Sequence, residues 1–161
     1  MKRNKTLFLC QAALVAALYV VLTYVAHLFG LDSGVIQLRI SEALCLLPIL
    51  MPAAIPGLYV GCLISNLLMS AVWMDILVGP IATLIGALGT YALRRHLWLA
   101  LLPPVLANTL LIPPVLAFGY GATESIPFLM LTVGIGEILS IYVLGILLYV
   151  AIRRRGMRFG N

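Results

Sequence analysis

The fold class this chain predicts is an all-α membrane protein of six transmembrane helices, the second of them short and both termini cytoplasmic. Composition and the placement of the basic residues carry that expectation. The 161 residues are 63% hydrophobic and 9% charged, with a mean hydropathy of +1.15, which lies far outside the range of a water-soluble domain. The net charge of +5 would suggest a nucleic-acid partner in a soluble protein. Here the basic residues cluster at the chain ends and in one short loop, so orientation in a bilayer explains them and no nucleic-acid partner is expected. A single integral membrane domain over residues 1–161 follows, in a multi-pass protein of the cell membrane. The basic start Met1-Lys2-Arg3-Asn4-Lys5 resembles the head of a secretory signal, yet the rest of the chain is equally apolar and still needs lipid.

A helix that crosses the hydrocarbon layer takes about 20 apolar residues. Runs near that length occur at residues 6–29, 52–72, 76–93, 98–120 and 126–152. Residues 41–50 are apolar but half as long, and Pro48, Pro52 and Pro56 disfavour a helix that continues through them. A short second helix followed by a full third is therefore expected. Six crossings place Lys2, Arg3, Lys5, Arg94, Arg95, Arg153, Arg154, Arg155 and Arg158 inside and leave Arg39 outside. Merging residues 41–72 into one crossing would send both arginine clusters outward, against the positive-inside rule.

Small residues recur at every fourth position, which lets helix backbones approach closely where lipid supplies no hydrophobic drive for association. Ala12 and Ala16, with Ala13 and Ala17, form two such stripes on the first helix; Ala53, Gly57, Gly61 and Ser65 form one on the third, and Ala82, Gly86 and Thr90 one on the fourth. The latter two read as packing inside the bundle, whereas the alanines of the first helix are equally suited to receive a partner subunit. No internal repeat of the kind that builds many secondary transporters is visible.

Motifs for turnover are missing: there is no phosphate loop, no H-E-x-x-H and no G-x-S-x-G. Catalytic residues, a metal site and a cofactor are not expected. Cys10, Cys45 and Cys62 stand singly in apolar segments without C-x-x-C spacing, and read as small core residues rather than as disulfides or metal ligands. His27 and His96 fall near opposite faces and read as interfacial side chains. What remains is a sparse polar set, costly within a membrane helix unless it is paired or lines a cavity. Arg39, Glu42, Asn66, Asp75, Asn108, Glu124 and Glu137 are its members. With Asp32, the acidic residues all fall in the outer half or near the midplane; Glu137 lies roughly 16 Å below the outer end of its helix at 1.5 Å per residue.

These residues suit a pocket open to the outside, in which carboxylates accept hydrogen bonds from ligand N–H groups or balance a ligand cation and amides offer both donor and acceptor. Tyr59, Asn66 and Trp73 recur at seven-residue spacing. They are expected to share one face of the third helix as a wall for a flat heterocycle, although Trp73 is equally suited to anchor at the interface. Arg39 and Glu42 stand three residues apart and either pair with each other or receive a ligand between them.

The stretch Ile36-Gln37-Leu38-Arg39-Ile40-Ser41-Glu42-Ala43-Leu44, followed by Leu-Pro-Ile-Leu-Met-Pro-Ala-Ala-Ile-Pro-Gly-Leu-Tyr-Val-Gly-Cys-Leu-Ile-Ser-Asn over residues 47–66, resembles the QueT family of queuosine-precursor transporters. The likeness extends over nearly the whole chain, its specific parts being Arg-x-Ser-Glu-Ala-Leu and Pro-Ala-Ala-Ile-Pro-Gly-Leu. The resemblance implies the substrate-binding S component of an energy-coupling-factor transporter, docked on a transmembrane coupling protein and two ATPase subunits. On that resemblance Ala12, Ala13, Ala16 and Ala17 look like the docking pattern of the first helix. The implied substrate is a 7-deazaguanine precursor of queuosine, or queuine. Its guanine-like edge would offer adjacent N–H donors to Glu137, its carbonyl would meet Asn108 or Asn66, and an aminomethyl cation would favour Glu42 or Asp75. Three other readings remain open from the sequence: an S component for another vitamin-like heterocycle, a proton-driven carrier, and a small intramembrane enzyme.

Overall fold

The computed structural model describes residues 5–31, 37–69 and 71–155. The expectations placed on Lys2, Arg3, Asp32, Ile36 and Arg158 lie outside the described residues. The described residues form an all-α bundle of six rods. The first is α1 (Lys5–Leu28), and the second a 3-10 helix over Ile40–Ile49. Then follow α2 (Ala54–Leu68) and α3 (Trp73–Ala92). The short α4 (Leu97–Ala100) and α5 (Leu102–Phe118) make the fifth rod, and α6 (Ile126–Ile138), a π-helical stretch Leu139–Gly145 and α7 (Ile146–Arg154) make the sixth.

Only four of these rods are long and apolar enough to cross a membrane: Lys5–Leu28, Trp73–Ala92, Leu97–Phe118 and Ile126–Arg154. They make this a multi-pass membrane protein. The six transmembrane helices expected from the sequence are therefore corrected to four spans and two short rods. The 3-10 helix has ten residues, as anticipated for the short second element. The third helix is the larger departure. It holds 15 residues rather than the 21 of 52–72, and at 1.5 Å per residue it reaches about 22 Å, short of a hydrocarbon layer of about 30 Å. It ends where the Met69 N–H bonds the Ser65 carbonyl and Ala71 N–H folds back on Asn66, after which an extended Val72 starts α3.

Chain geometry explains the boundaries. Gly30, at a positive φ of 64°, closes α1 while the Leu31 N–H bonds the Ala26 carbonyl, an arrangement that a residue without Cβ adopts freely. Pro48 lies inside the 3-10 helix. At about 2.0 Å per residue its ten residues cover about 20 Å instead of the 15 Å of an α-helix, so a short segment still runs the depth of the core. Pro56 sits in the first turn of α2, where no intrahelical N–H is needed.

Glycines set the packing. Carbon added at Gly57 would stand 2.6 Å from the Ala12 carbonyl, and at Gly61 2.7 Å from Tyr19 Cβ, so α1 and α2 run parallel with their backbones nearly touching. Ala16 is buried in this seam. Gly86 and Gly89 likewise lie against Pro104 and Pro103, which brings the end of α3 beside the start of α5. The small-residue stripes of both helices thus serve internal packing. Leu44, Leu47, Leu58 and Ala87 fill the core between these rods.

Lys5, Arg94, Arg95 and Arg153 to Arg155 gather at the end of the bundle where α1 begins and α3 and α7 finish. The opposite end holds the polar residues. Replacing Gly57 with alanine forces carbon against a backbone carbonyl and is expected to cost about 1–3 kcal/mol. Thermal unfolding of Gly57→Ala in detergent measures it, and a wild-type melting temperature would contradict the close α1–α2 approach.

Candidate functional site

At the end of the bundle away from the basic residues, the second half of α1, the α2–α3 turn and the α5–α6 connection enclose a cavity of about 740 Å³. That size is within the range of small-molecule sites, about 300–1,000 Å³. Its walls carry Tyr19, Thr23, Arg39, Asn66, Asp75 and Tyr120, with His27, Gln37 and Glu124 among the other polar residues and Phe128 and Leu129 among the apolar ones.

One polar group forms around Asp75, in the first turn of α3. Its Oδ2 accepts a hydrogen bond from the Tyr120 hydroxyl at 3.0 Å and lies 3.9 Å from Arg39 Nη2. The Asn66 amide donates to the Asp75 backbone carbonyl at 2.8 Å. Gly79 makes this approach possible, because a Cβ there would stand 2.7 Å from Asn66 Nδ2 and 3.2 Å from Asp75 Oδ1. Burial, and then the neighbouring Asp75 carboxylate, hold the Tyr120 phenol above its usual pKa, so it remains a donor across the neutral range. Burial opposes the charge on Arg39, but Asp75 together with the neighbouring Tyr19 and Glu42 outweighs it and the guanidinium pKa is raised. Arg39 therefore stays a cation at the cavity wall.

A second group lies beneath the first. Glu42, fully buried, accepts a hydrogen bond on Oε1 from the Tyr19 hydroxyl at 2.5 Å. Its Oε2 takes the Cys45 thiol at 2.9 Å and the Asn108 amide at 3.5 Å. Asn108 also interacts with Glu137, whose Oε2 is buried without a hydrogen-bond partner. The extended segment before the 3-10 helix crosses α6 here, since a Cβ at Gly136 would collide with the Gln37 carbonyl oxygen. Two carboxyl groups and an amide from three different rods thus meet in the core.

The residues singled out in the sequence divide accordingly. Arg39, Asn66 and Asp75 line the cavity; Glu42, Asn108 and Glu137 converge directly below without lining it. Trp73 does not join them. It is 67% exposed and opens α3 rather than continuing α2, so the seven-residue spacing that put it on one face with Tyr59 and Asn66 is interrupted by the turn. Arg39 pairs across the bundle with Asp75, and Glu42 turns inward. Of the four alanines of α1, Ala13 and Ala17 are exposed, Ala12 is partly covered and Ala16 is buried. Tyr19 and Tyr120 are polar contributors that the sequence reading passed over. The only hint was that Tyr19, Thr23 and Ala26 repeat at helical spacing on one face of α1.

The family model described as QueT transporter matches residues 9–154. The chain belongs to the QueT transporter family. Over 85 residues it is 41% identical to the Queuosine precursor transporter QueT of Lactococcus lactis subsp. cremoris (strain MG1363), an alignment covering 53% of this chain and 50% of the relative. The chain thus spans about half the length of the curated relative it matches. No solved structure matches it.

The Asp75 group gives a direct test. Asp75→Ala removes the acceptor shared by Arg39 and Tyr120 and is expected to destabilise the protein by about 1–3 kcal/mol, against about 1 kcal/mol for Tyr120→Phe. Thermal melting in detergent checks both, and an unchanged Asp75→Ala midpoint would contradict the pairing.

Proposed function

We propose that this chain is the substrate-binding S component of an energy-coupling-factor transporter and takes up a queuosine precursor, a 7-deazaguanine or queuine. It is a transport subunit rather than an enzyme. The observation that carries this reading is a polar-walled cavity of about 740 Å³ in an apolar bundle, within a chain matched along residues 9–154 by the QueT transporter family. By the positive-inside rule the arginine-rich end faces the cytoplasm, so the cavity opens to the outside, as uptake requires.

The ligand chemistry follows from the wall and floor. A flat heterocycle enters between α1, α3 and the α5–α6 connection. Asn66 and Arg39 address its carbonyl oxygen, Asp75 its cationic or N–H substituent, and the deeper acceptors Glu42 and Glu137, with Asn108, its guanine-like N–H edge. Burial strengthens each of these contacts, because an unpaired polar group inside the bundle is costly. Energy comes from outside the chain, through a transmembrane coupling protein and two ATPase subunits. The exposed Ala13 and Ala17 of α1 are the part of the alanine pattern free to meet the coupling protein, while Ala12 and Ala16 lean on α2.

Ligand binding is expected to stabilise the purified chain by about 2.7 kcal/mol at a hundredfold excess over Kd. Thermal shift against a panel of deazaguanines, flavins and thiamine measures this, and stabilisation by a flavin alone would overturn the substrate. Glu137→Ala is expected to weaken deazaguanine binding by about tenfold, the loss of one buried hydrogen bond. Equal affinity in that variant would remove Glu137 from the site.

A further inference from the structure

The cavity and the buried carboxyl cluster adjoin, and a side chain of the cavity wall bonds to the cluster. Tyr19 belongs to both. Its side chain lines the cavity while its hydroxyl is the donor to Glu42 Oε1. Glu42, Asn108 and Glu137 do not line the cavity and are 0%, 1% and 4% exposed. A ligand in the cavity therefore meets Tyr19 before it meets any of them.

The deeper compartment also holds an unsatisfied polar atom. Glu137 Oε2 is buried with no hydrogen-bond partner, a costly condition in a low-dielectric core. Asn108 already addresses Glu42 Oε2, and Cys45 supplies the other contact to that oxygen. A molecule with two adjacent N–H groups would offer the cluster two donors where the phenol offers one.

The backbone of Tyr19 is held. Carbon at Gly61 would stand 2.7 Å from Tyr19 Cβ and 3.0 Å from the Ala16 carbonyl, so α1 has no room to move toward α2. The ring borders the cavity, as do Thr23 and Ala26. A change of side-chain rotamer, without helix movement, opens the way.

We propose that Tyr19 is the gate between the cavity and the Glu42–Glu137 compartment, its hydroxyl occupying in the empty protein the acceptor position that an N–H donor of the ligand takes on binding. This rests on the reading that the cavity takes a guanine-like heterocycle. A ligand that reaches the cluster must displace a phenol from a carboxyl group, which a pair of adjacent N–H donors does and a single donor does not.

Removal of the hydroxyl removes the competitor. Equilibrium binding of 7-aminomethyl-7-deazaguanine to the full chain in detergent is measured for wild type and Tyr19→Phe, together with an analogue lacking the exocyclic 2-amino group. Tyr19→Phe is expected to bind the complete ligand about tenfold more tightly, the equivalent of one hydrogen bond to a charged group, and to leave the affinity of the analogue unchanged. A purely structural role would move both ligands together. Equal or weaker binding of the complete ligand by Tyr19→Phe overturns the gate while the substrate reading stands, and absence of binding by wild type overturns both. Where Tyr19→Phe does not fold, wild-type protein carrying 3-fluorotyrosine at position 19 replaces it. Its fluorine resonance is expected to shift on addition of the complete ligand and to stay in place with the analogue; a resonance unmoved by bound ligand overturns the gate.

Discussion

The carboxyl group of Glu42 is the point on which the interior of this bundle depends. It is fully buried and ties its own 3-10 helix to α1 through Tyr19 and to α5 through Asn108, with α6 joined through Glu137. A carboxylate withdrawn from water is tolerated only where such partners surround it. The rods therefore cannot slide past one another without leaving a polar group unpaired. In lipid, where apolar packing gives little preference for one register over another, a polar junction of this kind supplies specificity that leucines do not.

Close glycine contacts and this junction reinforce each other. Gly57 and Gly61 let α1 press on α2, which brings Tyr19 to the depth of Glu42. Gly79 does the same for Asn66 and Asp75. The π-helical stretch Leu139–Gly145 begins two residues after Glu137, and Gly145 packs on Ala43 and Leu46 of the 3-10 helix. Two irregular helices thus lie against each other beside the carboxyl pair, a common association at functional positions.

Much of this was legible in the sequence, for physical reasons that also explain the failures. A charge or amide in an apolar segment is expensive, so Glu42, Asn108 and Glu137 stood out, and they do meet. The same logic identified Asn66 and Asp75. Trp73 failed because nothing in the apolar run across residues 69–72 marks the turn that separates α2 from α3, and a heptad spacing holds only within one helix. The count of crossings failed for the same reason, since hydropathy averaged over 52–72 does not register that only Ala54–Leu68 is helical. Tyr19 was missed because a tyrosine in an apolar helix looks like an interfacial anchor. Its role depends on what stands opposite it, and local spacing carries no such information. The Arg39–Asp75 pair was hidden likewise: 36 positions separate its members, while Glu42 is three away.

The brevity of α2 has a consequence for the surrounding lipid. Its outer face bears Val60, Ile64, Leu67 and Leu68, all exposed, on a rod about 22 Å long beside neighbours of full span. Acyl chains adjoining this side must shorten or splay to match it, and each ångström of mismatch carries an elastic cost. Met69 and Ala71, directly beyond the tip of α2, belong to the cavity rim. Bilayer thickness therefore bears on the entrance itself: thin membranes leave that rim among headgroups and water, and thick ones draw it toward hydrocarbon.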